Sequence, residues 1–355
     1  MDTKKMTDAL TNSNGKIAMF ADGFVDEVWE IINARASDTD YTLYTRMNDW
    51  AQRIVGSGSG GVGVELIRKR RAFGGFAPNI GYAAARLGVS TTLFGVFGKG
   101  QLHPVFEEVG EICTVHSVDE PSVTHVFEFD DGKILMSHME SVQEVSWKSL
   151  VNHVDLDKMR EILSAAEIIG IGYWSLLPAF DEILENICAN LPNDGNTRRF
   201  FYDFADFRKK DESSLKRTLA TLKNLNEKYP QMLSVNEHEG ATLFTLYGET
   251  FDENNGTMQE KTERVRKQMG ISELIIHAPT FAVAASSDEA PARAESIFCE
   301  KPIRTAGGGD TFNGAYMAAK LAGLDIENRL HVANAAVGYF LRNAAFPKVE
   351  NLMFA

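Results

Sequence analysis

The chain is poor in cysteine, carries no excess of positive charge and holds no long apolar run. Among its 355 residues are three cysteines, Cys113, Cys188 and Cys299. They are odd in number and widely spaced, which excludes a disulfide framework and a Cys-x-x-Cys metal pattern and implies a reducing, cytoplasmic setting. Lys and Arg total 36 against 49 Asp and Glu, a formal net charge of −13. That balance argues against nucleic acid as the main partner. No stretch reaches the roughly 20 apolar residues of a membrane span, and the first residues form no signal-peptide core. What is present is the profile of an acidic enzyme for a small molecule, 44% hydrophobic and 24% charged. Such a chain can build one large core or at most two small ones. Residues 1–15 read as a disordered tail, and 16–355 as one domain without linker or internal repeat.

The most informative stretch is Arg304-Thr-Ala-Gly-Gly-Gly-Asp310, which opens directly into a helix. Phe312, Ala315, Tyr316 and Ala319 follow at the spacing of one apolar helical face, and Gly323 ends the run. Bare backbone N–H groups at Gly307, Gly308 and Gly309 form a cradle for anionic oxygens. A carboxylate on the first turn, Asp310, stands within reach of whatever the cradle holds. An anion hole beside a base is the equipment of phosphoryl transfer. The plain alternative is a tight helix-to-sheet turn with Asp310 as a cap.

After about residue 155 the pattern alternates. Helical stretches near 156–165, 179–190, 212–228 and 258–269 separate short apolar strands at 168–174, 200–203, 232–236 and 274–277. Such alternation predicts a parallel sheet covered on both faces, with ligands beyond the carboxyl ends of its strands. Trp174, Asp203, Asn236 and His277 stand at those expected ends. Earlier, 62–68 and 124–136 read as strands, the second with a hairpin-type Asp-Gly turn.

A second glycine segment runs Phe73-Gly74-Gly75-Phe76-Ala-Pro78-Asn79, opening an Ala-rich helix that Gly88 ends. Gly-Gly-x-x-x-Asn early and Gly-Gly-Gly-Asp late, with Asp22 before them, Asp203 and Arg208 and Asn236-x-x-Glu239 between them, and Ala333-Asn334-Ala-Ala after them, resemble the ribokinase-like (PfkB) carbohydrate kinases. The resemblance covers nearly all of the chain from Lys16 onward. It implies an α/β fold: three αβα layers around a mainly parallel sheet, with a small β-sheet lid from parts of 22–75 and 113–140. It also implies ATP and Mg²⁺ as cofactors and a small sugar, sugar acid or nucleoside as substrate. By the same resemblance Asp310 is the base, Ala306 to Gly309 the anion hole, and Asp22, Gly74, Gly75 and Asn79 the sugar contacts. Asn236 and Glu239 act on the Mg²⁺-nucleotide through water, Asn334 lies near the nucleotide base, and lid edges pair into a homodimer.

Several departures qualify the picture. Arg304 stands where the family usually has an Asp beside a monovalent-cation site, which predicts activity without K⁺. The family's Thr-x-Gly-x-x-Gly nucleotide stretch is here His277-Ala-Pro279-Thr280, and Pro279 has no N–H to donate. The Gly-x-Asp-x-x-Gly after the first α/β unit has become Gly98-Lys-Gly100, without the Asp. Phe76, where a Lys often follows the double glycine, favours an unphosphorylated substrate or is simply core. A catalytically weak sugar- or nucleoside-binding regulatory protein is therefore the alternative reading. Three further signals are weak. Gly58–Gly63 fits a dinucleotide fingerprint but precedes a strand-like run. Arg68–Arg71 alternates faces on a strand, and Gly98–Gly100 lacks the rest of a P-loop.

Overall fold

The computed structural model describes residues 3–296 and 298–353. Nine strands form the large sheet, in the order Ala292–Glu295, Phe281–Ser286, Glu273–His277, Gln231–Asn236, Arg199–Asp203, Ile168–Gly172, Lys16–Phe20, Ser90–Gly95 and Thr114–Ser117. The first two are antiparallel additions at one edge, and the remaining seven are parallel.

Strand residues alternate between two cores, as the pleat requires. Met19, Ile168, Phe201 and Ile275 pack on one face, with helices Phe76–Arg86, Gly308–Leu321 and Ile326–Asn343. Phe20, Ile169, Tyr202 and Leu274 pack on the other, with Leu156–Ala165, Phe180–Asn190, Glu212–Leu225 and Met258–Met269. With both faces covered, these strands are continuous apolar runs.

A second, five-stranded sheet is built on Phe24–Arg35. Leu66–Gly74 and Tyr41–Leu43 pair with it antiparallel, Ser122–Phe129 parallel, and Gly132–His138 closes a hairpin on Ser122–Phe129. Of the stretch 113–140, expected in part in the lid, residues 114–117 form the edge of the large sheet and 122–138 supply strands of the small one. The strand expected at 62–68 starts at Leu66 and continues to Gly74, because the glycines of 56–63 leave nothing to pack before it. No helix follows Gly63. The basic run on this strand is spent on the sheet's own acids: Lys69 on Glu30 at 3.0 Å, Arg70 on Glu128 at 2.6 Å, Arg68 and Arg71 on Glu27.

The disordered tail is also corrected. Thr3–Thr11 is a helix whose Met6 and Leu10, one turn apart, are each 1% exposed in the main core. Two well-placed apolar residues anchor a segment whose polar composition suggested none. Among the described residues no helix is long and apolar enough to cross a membrane.

Candidate active site

The first turn of helix Gly308–Leu321 is the centre of the site. Gly307 caps it at φ +94°, a left-handed conformation that favours glycine. Gly309 lacks a Cβ for another reason: one there would lie 3.1 Å from His277 Cε1. At Gly308 a Cβ would be accommodated, its nearest neighbour Leu341 at 3.8 Å. Three glycines in a row thus carry two distinct constraints, a turn and a close ring contact.

Asp310 follows, buried. Tyr173 donates its phenol O–H to Oδ1 at 2.6 Å, and Asn79 donates its amide to Oδ2 at 2.8 Å. Burial raises the Asp310 pKa to about 6, against the two hydrogen bonds and the positive charges of Arg304 and Lys133. Asn79 therefore meets Asp310 directly, from the first turns of helix Phe76–Arg86.

The double glycine makes room for two carboxylates. A Cβ on Gly74 would collide with the Asp26 carboxylate, and one on Gly75, at φ +108°, would press on Asp22. The two aspartates do different work. Asp22 accepts from the N–H groups of Phe76 and Ala77 at 2.8 and 2.9 Å, closing the helix N-terminus. Burial drives its pKa up to about 7. Asp26, four residues on and half-buried, interacts by charge with Asp310, Arg304 and Lys133, and burial raises it to about 6. Sequence reading singled out Asp22, yet Asp22 is committed to backbone and Asp26 is the more open of the two. Asp22 lies in the link before strand Phe24–Arg35 and Asp26 on the strand itself, and only their tertiary surroundings separate their roles.

A similar exchange occurs at the end of Ile168–Gly172. Trp174 is buried and hydrogen-bonds Thr218 at 2.9 Å, on the far side of the sheet. Tyr173, one residue earlier, reaches Asp310. Phe76 is core, fully enclosed between Tyr173 and Phe201, so it carries no substrate contact.

Asp203 ends its strand by accepting from Ala205 N–H at 2.9 Å and Asn313 at 3.0 Å. Asn313 accepts in turn from Ser234 at 2.6 Å. Burial raises Asp203 to about 7, with Asp310 adding to it. Asn236 and Glu239 form a reciprocal capping box: Asn236 Oδ1 accepts from His238 and Glu239 N–H, and Glu239 accepts from Asn236 N–H at 3.0 Å. Glu239 is raised to about 8 by burial and by Asp203. Arg208 is exposed on a local pair with Asp206.

A cavity of about 410 Å³ opens against the other flank of the glycine turn, lined by Gly308, Gly309, His277, Pro279, Phe312 and Asn334 among others. Asn334 donates to the carbonyls of Ala294 and Glu295 at 3.3 and 3.1 Å, tying its helix to the neighbouring strand. His277 ends Glu273–His277 with its Nε2 enclosed and unpartnered. Burial lowers its pKa to about 4, so the ring is neutral. Arg304 lies over Phe340, 5.1 Å from the ring centroid, and donates to the Ala306 carbonyl at 3.0 Å. Its positive charge faces Asp26 and Asp310.

Residues 4–354 match the family model described as prokaryotic ketohexokinase. A ketohexokinase from Haloferax volcanii is 24% identical over 345 residues, 95% of this chain and 90% of that one. The structure of Arabidopsis thaliana ribokinase complexed with ribose and ATP superposes with a TM-score of 0.63 at 15% identity, covering 96% of this chain and 97% of the other. Adenosine kinase from Sinorhizobium meliloti gives 0.65 at 15% identity over 93% and 94%. These likenesses establish the fold.

Proposed function

The chain belongs to the prokaryotic ketohexokinase family and is a sugar kinase, and from that premise we propose that it transfers the γ-phosphoryl group of Mg-ATP to a hydroxyl of a ketohexose. The observation that carries the reaction is Asp310: a buried carboxylate, oriented by two donors, on the first turn of a helix whose N-terminus is bare glycine. The acceptor hydroxyl would give its proton to Asp310 as its oxygen forms the new bond to the γ-phosphorus and the bond to the ADP oxygen breaks. Backbone N–H groups from 307 to 309 would take up charge on the transferring oxygens.

Asp26 is the group we assign to sugar hydroxyls, since a carboxylate accepts two hydrogen bonds from neighbouring O–H groups. Gly74 and Gly75 set it and Asp22 in place. The cavity along His277 and Asn334 would hold the nucleotide. Mg²⁺, which favours oxygen donors and keeps much of its water, fits Asp203, Asn236 and Glu239; there it would neutralise phosphate charge, and its cationic field would relieve the raised carboxylates. Arg304 already supplies a fixed cation, so the activity we propose needs no K⁺. Exposed Leu66, Leu135 and Met136 on the small sheet fit a homodimer closed through that sheet, which light scattering would check.

The test is ADP release from Mg-ATP against ketohexoses, aldohexoses, sugar acids and nucleosides, with Asp310→Ala as control. A ketohexose-dependent signal lost in the variant supports the reading. Turnover of a nucleoside alone would reassign the substrate. Nucleotide binding without turnover on any acceptor would favour the regulatory alternative.

A further inference from the structure

Asp310 is gripped from two elements that are remote in sequence. Asn79, on helix Phe76–Arg86, holds Oδ2 at 2.8 Å; Tyr173, just beyond strand Ile168–Gly172, holds Oδ1 at 2.6 Å. The Tyr173 ring is set edge-on against Phe76, centroids 5.7 Å apart at 72°. Phe76 is itself fully enclosed, so the phenol is braced rather than free to swing. Two donors on two oxygens fix the plane of the carboxylate and leave each oxygen a further lone pair for an acceptor hydroxyl.

We propose that Tyr173 is a positioning residue for the base: its O–H orients the Asp310 carboxylate toward the acceptor hydroxyl and favours its charged, proton-accepting form. The proposal rests on the reading of Asp310 as base. A hydrogen bond donated to a carboxylate stabilises the anion. The phenol remains a donor, because burial and the charges of Asp310, Asp203 and Asp22 push its own ionisation well above the ordinary value. The other groups acting on this carboxylate come from every side. Asp22, Asp26 and Asp203 oppose its charge, while Arg304 and Lys133 favour it. Removing one phenol oxygen alters none of these charges, which makes the perturbation clean.

The experiment is the pH profile of kcat/KM for the ketohexose, from pH 5 to 9, in the full chain and in Tyr173→Phe. The expected result is an acid limb moved up by about one pH unit, equivalent to about a tenfold gain in the proton affinity of the base. The plateau falls about tenfold and the KM for ATP stays put. Asn79→Ala, which removes the opposite donor, should move the limb in the same direction, and Tyr173→Leu carries the test if Tyr173→Phe fails to fold by circular dichroism. An unmoved or downshifted limb in a folded variant overturns the proposal even if kcat drops, since loosened packing that admits water lowers the proton affinity that burial had raised. Asp310→Asn separates the two levels. If it retains activity, the assignment of the base fails; if it is inactive while Tyr173→Phe leaves the limb in place, only the role of Tyr173 fails.

Discussion

On one flank of the glycine turn the chain concentrates charge, and on the other it almost removes it. Asp26, Asp310, Arg304 and Lys133 act on one another across the flank we assign to the acceptor. The flank we assign to the nucleotide is walled by Ala278, Pro279, Phe298, Phe312, Val337 and Leu341, with a neutral His277 among them. Hydroxyl-rich acceptors are distinguished by hydrogen bonds, and a buried charge left without its partner penalises the wrong molecule strongly. A nucleotide can be held by shape, by apolar contact and by backbone N–H groups. The contrast predicts that the flanks fail separately, and mutation can break or sharpen it.

The largest effect is expected from Asp310→Ala: kcat/KM lower by about 10³–10⁴-fold, with nucleotide affinity by calorimetry within a few-fold of wild type. Next, Asp26→Asn should lower kcat/KM for the sugar about 100-fold while the Kd for an ATP analogue stays constant. If both constants moved together, the division into two flanks would be wrong. His277→Phe keeps a ring against Gly309 but deletes the enclosed Nε2. It should weaken nucleotide binding by about fivefold and leave the sugar KM alone.

Acidity sharpens the same comparison. Asp22, Asp26, Asp203 and Asp310 all bind protons more tightly when folded, with pKa values of about 6 to 7 against 3.8. The folded chain therefore holds extra protons between about pH 4 and 7. The associated stability is fully present below that window and lost as pH rises through it. Melting temperature should decline by a few degrees from pH 5 to pH 8, whereas activity should fall as pH drops below about 6 and Asp310 protonates. A melting point that rose over the same range would show that these carboxylates are not the dominant titrating groups. The smallest expected effect is none: exchanging Na⁺ for K⁺ should leave the rate unchanged, and a clear rise would refute the role given to the Arg304 charge.

Much of this was legible in residue order, but unevenly. The helices at 156–165 and 258–269 appear at those bounds, because capping residues and a 3.6-residue apolar period are local signals. The capping box at Asn236 and Glu239 could have been seen too, since Asn-x-x-Glu before an apolar run is its signature. Asp26 carried a signal only in retrospect: it lies four residues beyond the more obvious Asp22, and nothing local says which carboxylate Gly74 and Gly75 must clear. The helix Thr3–Thr11 was missed because its stability comes from Met6 and Leu10 reaching a core assembled by residues hundreds of positions away.

By itself, then, the sequence determined the alternating strands and helices, the glycine turn and the carboxylate that follows it. Each of these depends on backbone geometry and periodicity within a few residues. Tertiary structure alone decided that Tyr173 rather than Trp174 meets Asp310, that Asp22 serves a helix end while Asp26 stays open, and that Asn79 grips Asp310 across 231 positions of chain. Tyr173 and Asp22 lie beyond the paired residues of their strands, where no ladder fixes the side chain, and for Asp26 and Asn79 the partners come from elements far along the chain; in each case only packing against distant elements decides.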